Sequence, residues 1–252
     1  MITYRSLLFA SILVGSASAA VVFSEDFSYA DGDLIGKNGG TGFTSAWTSS
    51  QATSGNIDVS SSAAHSNPNG TLQSAQVNRT FTGFTETKFI FKVDYDIIAN
   101  TEGGYDFQVV LRDTNNKEIF SIGNRNNQGS SGEYYVARLG SGGGAQTQIK
   151  LGGSETFTTP DTLTVEGTIS GTMITADITS TYFPAMNVTG LSRGTGGSAI
   201  DFSTGGTLRI QKSNLDNMQI AVDNIQLEAI PEPTTSVLSA LGLLGFLIRR
   251  KR

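Results

Sequence analysis

Paired carboxylates are the first chemistry to look for in this chain, because glycoside hydrolysis needs two acidic side chains at the scissile bond. Asp94 and Asp96 are separated by a single residue, so a β-strand would turn both carboxylates to the same face. Lys92 flanks them on that face, and we interpret the three as a solvated outer surface. The single histidine, His65, lies in a Ser/Asn/Pro segment that we interpret as a loop. The sequence thus offers no catalytic residues, and we do not expect an enzyme.

Aromatic side chains beside amide groups are a second chemistry of interest, since such rings offer an apolar face together with a polar tip. Tyr134, Tyr135 and Tyr182 could supply the rings, and the Asn-rich stretch at 124–128 could supply the amides. These tyrosines are the candidate ligand-binding residues. The only tryptophan, Trp47, is interpreted as part of the core.

The elements that carry these residues read as strands. Apolar residues alternate with polar ones in segment after segment, which is typical of antiparallel sheets with one buried and one wet face. Turn dipeptides such as Asn69-Gly70 and Ser170-Gly171 separate the segments. The alternating apolar positions are Phe89, Phe91, Val93, Tyr95 and Ile97; Tyr105, Phe107, Val109 and Leu111; Leu163, Val165 and Ile169; Ile174, Ala176 and Ile178; and Leu208 with Ile210.

Composition sets limits on the protein. Charged residues make up 15% of the chain, its net charge is −5 and it contains 30 glycines, a balance that favours short strands joined by turns. No basic patch interrupts the central region, so we expect no nucleic-acid partner. Cysteine is absent, so no disulfide holds the fold.

One strand breaks the alternation. Ile220 and Val222 share one phase, whereas Ile225 and Leu227 take the other. One extra residue at Asp223-Asn224 would restore the pattern, which predicts a β-bulge at that point.

Both ends of the chain carry sequences that are typical of sorting signals. Residues 1–20 combine one cation, an apolar run and the small-x-small pattern Ala17-Ser18-Ala19, which predicts a signal peptide cut by signal peptidase. At the other end, Thr234–Ile248 is uncharged and would form a helix of about 22 Å, against about 30 Å of hydrocarbon. Snorkelling cations can extend its reach, so we expect a transmembrane segment at about 234–248, with Arg249, Arg250, Lys251 and Arg252 on the cytoplasmic side.

Pro231, Glu232 and Pro233 precede that apolar run. Together with the basic end, they resemble the PEP-CTERM sorting signal, which we place at residues 230–252. The resemblance implies that an exosortase processes the chain at the inner membrane, commonly alongside exopolysaccharide production.

Residues 21–228 lie between the two predicted sorting signals. This region resembles concanavalin A-like (laminin-G, lectin and glucanase) jelly rolls at both of its ends. The resemblance rests on Phe23–Phe27 with Gly42-Phe43 and Trp47, and on the closing strand Val222–Leu227. In such domains an acidic residue near the first strand and an aspartate in the last hold a structural calcium. The resemblance therefore implies a calcium site formed by Glu25 or Asp26 together with Asp223.

The sequence as a whole predicts an all-β, two-sheet antiparallel jelly-roll sandwich flanked by a signal peptide and a C-terminal transmembrane helix. We expect an exported protein, tethered in the membrane before processing and then part of the cell surface or matrix, with polysaccharide as a candidate ligand. A glycan-degrading enzyme and a ligand-free coat protein are the alternatives.

Overall fold

The computed structural model describes residues 18–49, 57–66, 75–99, 105–126, 133–139, 147–150, 160–181, 185–192, 198–213 and 219–232. Every regular element in these ranges is a β-strand, and the strand pairings there are antiparallel. The expected all-β, two-sheet architecture is confirmed. The predicted signal peptide falls, up to residue 17, outside the described residues.

The first sheet has nine strands. Numbered along the chain, they lie in the order β14 (Met186–Ser192), β13 (Met173–Thr179), β12 (Asp161–Ser170), β7 (Lys88–Ala99), β16 (Gln219–Ile230), β5 (Ala63–Ser66), β4 (Ile57–Ser60) and β2 (Gly32–Asp33), with β1 (Ala20–Glu25) also paired to β16.

The second sheet has seven strands. Their order is β11 (Thr147–Lys150), β10 (Glu133–Leu139), β9 (Glu118–Asn126), β8 (Tyr105–Arg112), β15 (Gly206–Ser213), β6 (Ala75–Phe81) and β3 (Thr48–Ser49).

The core lies between the inner faces of the two sheets, and the predicted alternation accounts for it. On β7 the side chains of Phe89, Phe91, Val93 and Tyr95 are buried, and β12 and β13 contribute matching apolar faces. On β15 Leu208 and Ile210 face the same interior. Trp47 is fully buried and stacks near Phe27, which confirms it as a core residue.

Strand β16 is the centre of the nine-stranded sheet. One of its edges pairs with β7 along almost its full length. Two shorter strands share the other edge, with β5 opposite Ala221 and Val222 and β1 opposite the stretch from Ile225 to Ala229. The register with β7 shifts between Asp223 and Gln226, and Asn224 has a left-handed φ of 46°. The predicted bulge is therefore confirmed, and it lies where β5 gives way to β1.

The opening segment is folded tightly against β1. Gly42 has a φ of 78°, and a Cβ there would lie 1.8 Å from the carbonyl oxygen of Val22. Only glycine allows the backbone to come this close. The neighbouring residues Thr41 and Ser24 exchange two backbone hydrogen bonds, which hold this loop along the strand.

Candidate functional site

A pocket of about 330 Å³ opens on the outer face of the nine-stranded sheet, where β5, β7 and β16 meet. Three carboxylates and the histidine line it together with small apolar residues. The residues that matter for its chemistry are Asp94, Asp96, Asp223, His65, Ala63 and Pro160.

Strand register explains how the carboxylates come together. Asp94 and Asp96 lie on the face of β7 opposite the buried Val93 and Tyr95, as the alternation predicts. Asp223 of β16 lies directly across from Asp94. Residues far apart in the chain thus form one acidic group.

Asn224 orders this group. Its side-chain nitrogen donates to Asp94 Oδ2 at 2.8 Å and to Asp223 Oδ2 at 3.2 Å, and its backbone N–H donates to Asp223 Oδ1 at 2.7 Å. Thr162 donates its hydroxyl to the other oxygen of Asp94 at 2.7 Å. The bulge therefore aims an amide at two carboxylates that would otherwise only repel each other.

The surroundings of Asp223 disfavour its ionised form. Burial raises the pKa of its carboxyl above the ordinary value of 3.8, and the negative charges of Asp94, Asp26 and Glu25 raise it further, although the Asn224 N–H acts in the opposite direction. A carboxyl whose pKa is raised stays protonated to a higher pH than a free one. Only the protonated form can donate a hydrogen bond.

His65 lies on β5 rather than in the loop that its Ser/Asn/Pro surroundings indicate. Its Nε2 is 2.8 Å from the carbonyl oxygen of Ser60. Since a carbonyl only accepts, Nε2 is the donor in this contact. Pairing across β4, β5 and β16 positions this side chain, and a local reading of the sequence misses it.

The residues of the expected calcium site are placed differently from one another. Glu25 is fully buried; its Oε1 accepts from the Phe27 N–H, and its Oε2 accepts from Tyr29, Trp47 and Arg79. Asp26 is exposed and accepts from Ser28.

Asp26 and Asp223 are near enough to interact electrostatically, as the expected site requires. Within the described ranges, however, no group of three or more His, Cys, Asp or Glu side chains is arranged to hold a metal ion. The calcium site stays a prediction.

The candidate aromatic residues lie elsewhere. Tyr134 and Tyr135 belong to β10 of the other sheet, where they pair with Arg125 and Asn124 of β9. Tyr182 is outside the described residues. Their ligand-binding role stays a prediction.

A sequence pattern that serine hydrolases use also occurs in this chain. Residues 190–194 read Gly-Leu-Ser-Arg-Gly, which matches the Gly-x-Ser-x-Gly pattern. The nucleophile elbow that uses this pattern is a turn from a strand into a helix in an α/β-hydrolase sheet. Here Ser192 ends β14, an antiparallel strand at the edge of the sheet. The strand that carries Ser192 therefore differs from the α/β-hydrolase strand on which that elbow is built.

The predicted C-terminal sorting signal begins where the last strand of the sandwich ends. Residues Ala229 and Ile230 close β16, and Glu232 accepts a hydrogen bond of 2.6 Å from the Thr87 hydroxyl. The predicted span at 234–248 and the four basic residues lie outside the described part of the chain. Within that part, we find no helix with the length and apolarity that a membrane crossing requires.

Comparison with known proteins identifies the C-terminal sequence as a sorting motif. Residues 229–252 match the PEP-CTERM protein-sorting motif, which confirms the sequence interpretation and begins one residue earlier than expected. No curated protein sequence matches the chain.

Solved structures match the sandwich. The CBM2 module of the evolved Dit of Lactobacillus casei BL23 phage J-1 has a TM-score of 0.53 at 14% identity, covering 85% of this chain and 97% of that one. The catalytic domain of an endo-1,3-beta-glucanase (laminarinase) from Thermotoga petrophila RKU-1 has a TM-score of 0.51 at 10% identity, covering 86% and 100%. The binding domain of botulinum neurotoxin DC, in complex with SialylT, has a TM-score of 0.51 at 11% identity, covering 85% and 49%. At these identities the likeness shows the fold, a concanavalin A-like jelly roll, as expected.

Proposed function

We propose that this exported, exosortase-sorted protein binds a neutral polysaccharide in the pocket between β5, β7 and β16. The sorting motif supports export and processing. The pocket itself supports the binding role, because it gathers carboxylate acceptors and a histidine on one sheet face. The CBM2 module and the glucanase that share the fold are consistent with a saccharide ligand.

The observation that carries the proposal is the Asn224 bridge between Asp94 and Asp223. Sugar hydroxyls donate hydrogen bonds, and carboxylates fixed in position accept them without further ordering. The bridge fixes both acids and leaves Asp96 on the same wall of the pocket. The apolar side chains of Ala63 and Pro160 provide a surface for the less polar face of a sugar ring.

The test is retention of the full-length protein, purified in detergent, on a panel of neutral polysaccharides. We expect the wild type to be retained by one of them and the Asp96→Asn variant to lose at least about tenfold in affinity, as removing one charged acceptor predicts. Glu166→Gln is the matched control, because Glu166 is an exposed acid on β12 of the same sheet. Retention by none of the polymers, or equal losses in the two variants, would overturn the proposal.

A hydrolase is the second candidate, since Asp223 beside Asp94 has a raised pKa in a pocket. Glycosidases pair one acid of raised pKa with one ionised carboxylate. The same panel decides between the two, because reducing sugar released by the wild type and not by Asp223→Asn would identify an enzyme. Retention without release would identify a binding module, and the absence of both would favour the ligand-free coat protein.

A further inference from the structure

The end of the nine-stranded sheet from which the chain leaves holds the first residues of the sorting motif. The motif begins at Ala229, whereas β16 continues to Ile230. Ala229 is buried, and it pairs with Phe89 of β7 on one side and with Ala20 of β1 on the other. The first two residues of the motif are therefore part of the folded sheet.

A side-chain hydrogen bond holds the next part of the motif. The Thr87 hydroxyl donates to Glu232 Oε1 at 2.6 Å, across 145 positions of the chain. Thr87 is itself fixed in place, because it directly precedes β7 and its carbonyl oxygen accepts from the Ile169 N–H at 2.7 Å. The glutamate of the motif is thus attached to the sandwich beyond the last residue of the strand.

Little chain separates these contacts from the membrane. The predicted span begins at about residue 234, so only residues 231–233 lie between it and the end of β16. Three extended residues reach about 10 Å. Pro231 and Pro233 restrict this short segment further, since the proline ring fixes φ. An enzyme at the membrane therefore cannot draw the motif away from the sandwich on a slack linker.

Processing of a folded chain needs a segment that has been released from the fold. When opening and closing are fast compared with the reaction, the rate follows the fraction of molecules in the open form. Each contact between the motif and the sandwich lowers that fraction. The hydrogen bond from Thr87 is such a contact, and it is made to a residue of the motif itself.

We propose that the sandwich restrains its own sorting motif, and that Thr87 sets how readily the exosortase obtains it. The folded domain and the enzyme compete for the segment that contains Glu232, so a contact that favours the closed form slows processing. The consequence is a longer stay in the membrane before the protein is processed. The inference rests on the sorting motif and is independent of the proposed polysaccharide pocket.

The experiment follows the full-length protein in cells that produce an exosortase able to convert the wild type, and measures how fast pulse-labelled precursor is shortened. Thr87→Val removes the hydroxyl and keeps the size of the side chain. We expect it to speed conversion about two- to fivefold, as the loss of one hydrogen bond predicts. The substitution is made at Thr87 because a change at Glu232 would alter the motif that the enzyme binds.

Two further variants control for the hydroxyl and for the loop. Thr87→Ser restores the donor and should convert at the wild-type rate. Thr85→Val is the matched control, because Thr85 is an exposed threonine of the same loop whose backbone N–H, and not its hydroxyl, donates to Glu86 Oε2 at 3.0 Å. It should leave the rate unchanged. A rate for Thr87→Val at or below that of the wild type would overturn the proposal, as would an equal gain in Thr85→Val.

A linker tests the restraint in case Thr87→Val does not fold. Gly-Ser-Gly-Ser inserted between Ile230 and Pro231 lets the motif move away from the sandwich, and we expect a gain in rate at least as large as that of Thr87→Val. In the linker background Thr87→Val should add nothing, because the contact it removes is already lost. A linker that does not raise the rate would overturn the proposal. So would equal gains from Thr87→Val with and without the linker.

Discussion

Arg79 and Glu25 form a fully buried ion pair that joins the two sheets through the interior. Arg79 belongs to β6 of the seven-stranded sheet and Glu25 to β1 of the nine-stranded sheet. The guanidinium also donates to the Gly39 carbonyl and the Asn38 side chain, and it lies 4.0 Å from the centre of the Phe43 ring. The pair thus holds the opening segment of the chain against both sheets.

Breaking this pair is expected to be costly. Arg79→Met should lower the free energy of unfolding by about 3–5 kcal/mol, because it leaves the Glu25 carboxylate buried without its cation. Urea unfolding measures this. The control is Lys92→Met, which breaks the partly exposed pair with Glu228 at 3.0 Å and should cost less than about 1 kcal/mol. A similar small loss in both variants would show that the buried charge is neutralised by other means.

Asp223 should make stability depend on pH. Its pKa in the fold is raised, so its contribution is favourable below pH 3.8 and is lost as the pH rises through the raised value. At pH 7 the Asp223→Asn variant should therefore melt about 2 °C higher than the wild type, a small gain because solvent screens this partly exposed group. At pH 3 the two melting temperatures should coincide. A constant difference across this range would contradict the assigned cause.

Calcium is expected to raise the melting temperature only slightly if it binds at the predicted site. Each oxygen of Glu25 already accepts from N–H or O–H donors, so this residue has to give up its ion pair before it can bind a metal. Differential scanning calorimetry with millimolar calcium and with chelator measures the effect. A calcium-dependent rise that disappears in Asp26→Asn would confirm the site implied by the family resemblance, and the absence of any rise would contradict it.

Gly42 is expected to tolerate no side chain. Gly42→Ala would place its Cβ 1.8 Å from a backbone carbonyl at a positive φ, so the loop must move away from β1. We expect a loss of more than about 2 kcal/mol in urea unfolding. Gly171→Ala is the control, because Gly171 has a φ of 61° but no atom within 4 Å of the added Cβ, and it should lose only about 1 kcal/mol. Equal losses would mean that backbone conformation alone matters at Gly42.

Local pattern predicts part of this structure and fails where contacts are distant. The alternation on β7 and the bulge at Asp223 are both visible in the sequence, because each depends on residues a few positions apart. Arg79 shares the buried phase of Val77 and Phe81, but its partner is 54 positions earlier, and nothing local identifies it. The pocket is harder still, since its acids and His65 meet only through the pairing of β5, β7 and β16. Aspartates that look like a solvated surface on one strand thus become a cluster in the sheet.

The place of β16 in its sheet has a mechanical consequence. The sorting motif overlaps the end of this strand, so any tension from a membrane tether enters the domain along β16. β16 pairs with β7 along one edge and with β1 and β5 along the other. A pull along its axis loads these ladders in shear, with many hydrogen bonds resisting at once, instead of peeling them apart one after another. A force applied at this end would therefore meet resistance from several strand pairings at the same time.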